Sequence, residues 1–538
     1  MILELSTRPP RGEVTSAFLA GFDCPEPLPP SYLTDESRVI GSAERLLLPR
    51  NEAEVSVVLR EAQRNKTLVT VSAGRTGVVG GAVPSGGWIL SLERMAHVYD
   101  LRFDDHSREF RLRIGPGLVL QNLRRAIQTA LFPFLRPPEG DALRHLESFR
   151  RQSSRWVFAP DPTEKTAQLG GMAATNASGS RTFRHGAVRR HIRALTVALP
   201  NGEMLDLRRG DLVLRPGDTL QISGSDSSTT SLIIPTYSIP AGKHACGYFS
   251  APLLDPIDLF IGSEGTLGVI TELEIALTET PGKEAEIVVV LPNSKVACRF
   301  VDLLRRNLEP ALAEIEAVEY LCDASLALLG EHHLHPRFAE RGGVGVFVSV
   351  RILGDIVRAL EFFEKLITDA GGDPRETLAA LSPVEIERIA HYRHALPETV
   401  NTLVSQARAV HPQLTKLGTD MAVPDRYLEE VMELYSRRLS NTGLRHVIFG
   451  HIGDNHLHVN ILPQNPAEYA RGKELYQEFA NWIAGTGGSV SAEHGIGKLK
   501  KYLMSIQYDV AAITEMRSLK SSLDPHWLLN RGNLFDFE

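Results

Sequence analysis

Cysteine is scarce in this 538-residue sequence: Cys24, Cys246, Cys298 and Cys322 are the only four, and no two form a Cys-x-x-Cys pair. That spacing excludes an iron–sulfur cluster, which needs clustered thiolates. It predicts buried thiols in a reducing compartment rather than a disulfide framework. No stretch reaches eighteen uninterrupted apolar residues, so no membrane-spanning helix is expected. The opening residues Met1 to Pro10 lack the apolar core after a basic start that marks a signal peptide. An excess of positive charge is missing too. The 58 Lys and Arg against 65 Asp and Glu leave a formal charge of -7 and no electrostatic case for a nucleic-acid partner. What remains is ordinary globular composition, 43% hydrophobic and 23% charged, enough for a sizeable core. The length calls for two or three domains.

Residues 1–37 read as an irregular lead-in, rich in proline (Pro9, Pro10, Pro25, Pro27, Pro29, Pro30). A βαβ rhythm follows. Leu46-Leu47-Leu48 is a short strand, Asn51 a helix cap, and Leu68 to Ser72 a β-branched strand that runs into a glycine-rich turn. Trp88 to Leu92, Phe110 to Ile114 and Leu195 to Leu199 continue the strand pattern. Two stretches look like insertions of solvated loop and surface helix: a basic one at about 134–157 and a Ser/Thr-rich one at about 208–245. From about 283, strand runs at 286–291 and 344–350 flank amphipathic helices. The class is α+β, with a first unit over 38–282 and a second over 283–538 that ends in a helical segment.

The turn Ala73-Gly74-Arg75-Thr76-Gly77-Val78-Val79-Gly80-Gly81 suits a pyrophosphate, because glycines let backbone N–H groups approach one anion. It is neither a Walker A loop nor GxGxxG. Two more loops of small residues, Gly170 to Ser180 and Ile261 to Glu272, predict that something flat or bulky lies against them. With Gly115-Pro116-Gly117 and Pro160-Asp161-Pro162, these loops resemble the FAD-binding domain of the vanillyl-alcohol-oxidase-type (PCMH-type) flavoproteins. The resemblance implies a two-subdomain FAD-binding fold over 38–282. It implies that Gly74, Arg75, Thr76, Gly77, Pro160, Gly171, Ala174, Thr175, Gly179, Gly265 and Ile270 line the flavin. The family usually has glycine where Arg75 stands. No histidine occurs between 66 and 96, so FAD is expected to be non-covalent.

The second unit carries Val447 to Leu462, read as two strands joined by a Gly-Asp-Asn turn. Alternation puts Leu457, Val459 and Ile461 on one face and His456, His458 and Asn460 on the other. The hairpin brings His451 and His458 together as two metal ligands. Glu493, on a strand-into-turn at Val490 to Gly497, completes a His₂-carboxylate site with open positions, and His494 beside it is a base. His456 does not fit the ligand pair and is read as a hydrogen-bonded structural histidine. His332, His333 and His335 read as an exposed loop.

Gly-His-x-Gly-Asp, His-x6-His and Glu-His-Gly-Ile-Gly resemble the C-terminal domain of the FAD-linked D-lactate, D-2-hydroxyglutarate and glycolate dehydrogenases. The resemblance implies that His451, His458 and Glu493 hold a divalent metal (zinc, manganese or iron) and that His494 is the catalytic base. It implies that Arg393, Lys416 and Asn460 bind the substrate and that Asn530 reaches the flavin region. The activity it implies is oxidation of a D-2-hydroxy acid to the 2-oxo acid. Electrons then pass to a quinone, cytochrome or electron-transfer protein. A cytoplasmic protein is expected, with peripheral contact to the inner membrane and a homodimer as further expectations. Alternatives are a flavoenzyme of the same fold acting on a sugar lactone or other alcohol, an FAD-dependent non-redox ether-lipid synthase, and an FAD-binding subunit of a larger glycolate-oxidase-like complex.

Overall fold

Three nine-residue strands, Lys283–Leu291, Ala313–Leu321 and Val344–Ile352, form the spine of the second unit. Their Val and Ile runs are buried on both faces, which is where β-branched side chains pack best. The computed structural model describes residues 1–20, 27–307, 310–330 and 342–537. Cys24 and the cluster His332, His333 and His335 lie outside the described residues. The other three cysteines are free and buried.

The spine is extended into an eight-stranded sheet. Its order is Thr377–Ala380, Lys283–Leu291, Val344–Ile352, Ala313–Leu321, His446–His451, His456–Ile461 and Leu417–Gly418, with Met421–Ala422 also pairing to His456–Ile461. The paired strands are antiparallel. The 28-residue helix Pro383–Val410 starts at a Ser382/Glu385 capping box and lays Ile389, Tyr392, Leu396 and Val400 on this sheet.

Two of the sheets in the first unit frame the site. Arg45–Leu47, Trp88–Ser91 and Val69–Ser72 form a small parallel sheet. The helix Glu52–Asn65, capped by Asn51, shares its apolar cluster through Val55, Val58 and Leu59. Val98–Asp104, Glu109–Ile114, Val269–Ala276, Ile192–Ala198 and Met204–Arg208 form a five-stranded antiparallel sheet.

Two expectations are corrected. The proline-rich lead-in begins with a strand, Ile2–Ser6, parallel to Thr219–Ser223, because Leu3 and Leu5 alternate onto the core. The stretch at 208–245 is not only solvated loop: Thr219–Ser223 and Thr229–Ile233 form an antiparallel pair, with Leu220, Ile222 and Leu232 buried. The basic stretch holds the helix Gly140–Arg150, which buries Leu146 and Phe149 and exposes most of the rest. Among the described residues, no helix is long and apolar enough to cross a membrane.

Candidate active site

The strand Val69–Ser72 delivers Gly74, Arg75, Thr76 and Gly77 to the edge of the first unit. Among the described residues, nothing accepts a backbone hydrogen bond from the N–H groups of these four. Four adjacent partly solvated donors in a turn form a concavity suited to a phosphate. Arg75 sits at φ 57°, the conformation that explains a glycine preference there. Its guanidinium turns back onto the loop, donating to Ala73 O (3.0 Å) and Ser72 Oγ (3.3 Å) and lying 4.2 Å over the Tyr32 ring.

The other two small-residue loops close against this turn. A Cβ on Gly171 would sit 2.9 Å from Ala73 Cβ, and one on Gly179 would overlap Asp161 O. Gly262 and Glu264 donate their N–H groups to Ala173 O and Ala174 O at 2.9 and 2.7 Å. Gly265 lies at φ +70° with the Asn530 amide in the place of its Cβ. Loop-on-loop packing therefore accounts for Gly171, Gly179 and Gly265, while Gly74, Thr76, Gly77, Ala174 and Thr175 stay partly accessible along the cradle. Thr175 Oγ1 donates to Gly171 O (3.0 Å). Pro160 is buried, its carbonyl accepting from Arg124 (2.9 Å), and Ile270 is buried in its strand. Asn530 Oδ1 accepts from Val71 N and its Nδ2 donates to Glu264 O, both at 2.7 Å, so its amide braces two of the loops together. An open donor-rich turn beside a cradle of small side chains fits the pyrophosphate and ring system of a flavin.

In the second unit, His451 and His456 end up as direct cross-strand partners, because Ile452–Asp454 forms a single 3-10 turn and Asn455 adopts φ 54°. Residues opposite each other in an antiparallel pair share a face, and His458 is two residues further along that face. The loop carrying Glu493 meets them. It is held by one bridge, Ala422 to Ser489, rather than by the regular strand expected at Val490.

Each imidazole has one nitrogen toward an acceptor and the other toward Glu493. His451 Nδ1 is 2.6 Å from Glu319 Oε1, and its Nε2 is 3.6 Å from Glu493 Oε2. His458 Nδ1 is 2.9 Å from Thr419 O, and its Nε2 is 3.6 Å from Glu493 Oε1. Outer acceptors that fix tautomer and ring plane are what metal-ligating histidines require. One ligand atom from each of His451, His456, His458 and Glu493 lies within 4.8 Å of the others. The donor set and its spacing fit a divalent ion.

His456, read from sequence as a hydrogen-bonded structural residue, is fully buried, with Nε2 facing Asp420 and no hydrogen-bond partner for Nδ1. Its Nε2 lies 3.1 Å from Asp420 Oδ1.

His494 follows Glu493, with Nε2 3.6 Å from Glu493 Oε1 and Nδ1 3.4 Å from Asp420 Oδ2. Burial pushes its pKa down to about 4 against the opposing pull of Asp420, so the ring is neutral at ordinary pH. Asp420 also accepts from the N–H groups of Glu493 (3.1 Å) and His494 (2.9 Å) and from Ser491 Oγ (2.8 Å). Against the cost of burial, Lys243 and His451 hold the Glu493 carboxyl well below its usual range. Burial works the other way on His451, yet Glu319 raises it to about 9.

Lys243 is the functional residue the sequence reading missed. Its Nζ donates to Glu493 Oε2 at 2.8 Å, from a side chain 4% exposed. It sits at the end of the 208–245 stretch, and nothing local distinguishes it from a loop lysine. A cavity of about 960 Å³ is lined among others by Ser178, Lys243, Arg305, Asp454 and Ala492, and by none of His451, His456, His458 or Glu493.

Asn460 is buried with Oδ1 unpartnered. Lys416 approaches it: a Cβ on Gly418 would lie 2.8 Å from Asn460 Oδ1 and 3.4 Å from Lys416 Cε. Lys416 Nζ donates to Asn401 Oδ1 (3.1 Å), on the long helix that carries Arg393. The charge of Arg393 acts on Asp161, Glu286 and Glu319, the last of these the partner of His451.

Comparison with known proteins gives the family. The profile of the FAD binding domain matches residues 43–140 and 149–208, its break falling inside the helix Gly140–Arg150. That of the C-terminal domain of FAD linked oxidases matches 282–534. A D-lactate dehydrogenase of Anaerostipes hadrus is 27% identical over 94% of this chain and 92% of its own length. A D-2-hydroxyglutarate dehydrogenase of Xanthomonas citri pv. viticola is 27% identical over 91% and 89%. The glycolate oxidase subunit GlcD of Bacillus subtilis is 22% identical over 91% and 89%. A solved alkyldihydroxyacetonephosphate synthase shares the fold at TM-score 0.60 and 16% identity, covering 98% of this chain and 88% of its own.

Proposed function

The chain belongs to the FAD-linked oxidases, and from that premise we propose that it oxidises a D-2-hydroxy acid of the D-lactate, D-2-hydroxyglutarate or glycolate class to the 2-oxo acid. FAD, held non-covalently, supplies the two-electron chemistry when bound. His451, His458 and Glu493 would hold a divalent ion, which would supply a Lewis acid that makes the 2-hydroxyl more acidic; zinc, manganese and iron all suit these donors.

The chain's own side chains do the rest. Arg393 and Lys416 hold the substrate carboxylate as charge-assisted pairs. Asn460, buried with Oδ1 unpartnered, is a further substrate contact. His494 Nε2 takes the hydroxyl proton, and Asp420, against Nδ1, stabilises the imidazolium that forms. Bound FAD would serve as acceptor for the C2 hydrogen and its electron pair, so that with the proton taken by His494 the substrate would lose two electrons and two protons. A quinone, cytochrome or electron-transfer protein then collects the electrons.

One observation carries this reading: Glu493 lies 3.6 Å from Nε2 of both His451 and His458, each imidazole pinned from behind, with the neutral His494 alongside. The test is anaerobic mixing of the FAD-loaded protein with D-lactate, D-2-hydroxyglutarate and glycolate, following loss of flavin absorbance. At least one acid should bleach the wild type, and His494→Asn should keep its FAD and stay yellow. Full bleaching of that variant removes His494 from the base role. A wild type bleached by none of these acids refutes the substrate class.

A further inference from the structure

The two pinned imidazoles and Glu493 do not use up the nitrogen donors at this centre. We infer that His456 is a fourth protein ligand, so that the centre is three imidazoles and one carboxylate. The inference rests on the reading of His451, His458 and Glu493 as a metal site and extends it.

His456 is at 0% exposure, in the middle of the imidazole cluster, with ring centroids 5.3 Å from His451 and 4.4 Å from His458. Its Nδ1 is 3.9 Å from Glu493 Oε2. A buried imidazole whose Nδ1 has no hydrogen-bond partner forfeits the desolvation energy of that nitrogen, a cost that native structures avoid unless something else is the partner. The geometry supplies that partner. Asp420 Oδ1, 3.1 Å from Nε2, stands where the outer acceptor stands for the other two rings, leaving Nδ1 to face the same point as Nε2 of His451 and His458. The cross-strand pairing of His451 with His456 aims both rings to one side. Such a nitrogen-rich set favours a transition metal over magnesium or calcium. Four protein donors also close a tetrahedral site, so an ion that admits substrate here must expand beyond four-coordination.

The test uses the FAD-containing protein with Co(II) as the metal. Each coordinated imidazole contributes one exchangeable N–H proton to the strongly shifted region of the ¹H NMR spectrum. Wild type should show three such signals, and His456→Asn should show two, with FAD content unchanged. Affinity for Co(II), from competition with a chelator, should fall at least about 10- to 100-fold in the variant, the range that outer partners alone command. If that variant does not fold, His456→Gln and the wild-type count still decide. A wild type that binds Co(II) with two imidazole signals overturns the inference and leaves the three-ligand centre standing. A wild type that takes up no Co(II) overturns both.

Discussion

Replacing Lys243 by Met separates the two cations that compete for Glu493. The stem keeps its length and packing, and only the ammonium goes. The ion pair is short (2.8 Å) and shielded, with side chains 4% and 12% exposed, so its loss strands a carboxylate in a low-dielectric site. Removing one partner of such a pair costs about 3–5 kcal/mol. The lower figure is expected, because His451, raised to about 9 by Glu319, leaves a second cation 3.6 Å from the same carboxylate. A divalent ion on the cluster supplies the missing counter-charge. The urea midpoint of Lys243→Met should therefore fall well below wild type in chelator, and the difference should shrink below about 1 kcal/mol under saturating metal, since whatever binds the native state stabilises it. An equal deficit with and without metal would show that Glu493 does not face the ion. No deficit in either condition would mean that the buried pair does not exist.

Asp420→Asn should retain FAD and lower the rate of flavin reduction by about 10- to 100-fold, the scale of losing an orienting partner, read by stopped-flow absorbance. Gly179→Ala forces a Cβ into Asp161 O and should lose FAD on purification, whereas Gly77→Ala, whose Cβ would meet only Asp35 Oδ2 at 4.0 Å, should keep it; flavin stoichiometry separates the two. Glu264 is pushed up by burial to about 6 while accepting from Ile496 N and Gly497 N. The folded state thus binds more protons than the unfolded one between about 4.5 and 6, and the stabilisation, full below 4.5, is lost as pH rises through 6. Glu264→Gln should remove that slope, about 2 kcal/mol, from the pH profile of urea stability. Lys520→Met leaves Asp524 buried beside Thr266 O and Leu529 O and should cost about 3–5 kcal/mol by urea unfolding.

Local pattern carried much of this. The strand into Gly74–Gly77 and the strands at 286–291 and 344–350 were readable from β-branched runs and glycine spacing. So was the face that His456 shares with His458 and Asn460, because alternation is a property of neighbours. The role of His456 was not, because it depends on the turn at 452–455: a single 3-10 turn with Asn455 at φ 54° sets His456 opposite His451, and the residue letters alone do not fix that register. The outer acceptors were invisible for a different reason. Glu319 comes from a strand 132 residues before His451, and Lys243 lies 250 residues before Glu493. Neither has a motif around it, and only the assembled sheet brings them in. The small-residue loops were correctly grouped, but part of their smallness serves contact between loops, as at Gly179 and Gly265.

The Asn530 brace has a bearing on biosynthesis. The turn that follows Val71 is tied off by an amide made 459 positions later. The nucleotide cradle therefore stays unfinished until Asn530 has been made, and cofactor loading has to wait for it. A chain that stalls or is clipped just short of Asn530 would emerge with most of its secondary structure in place and no colour.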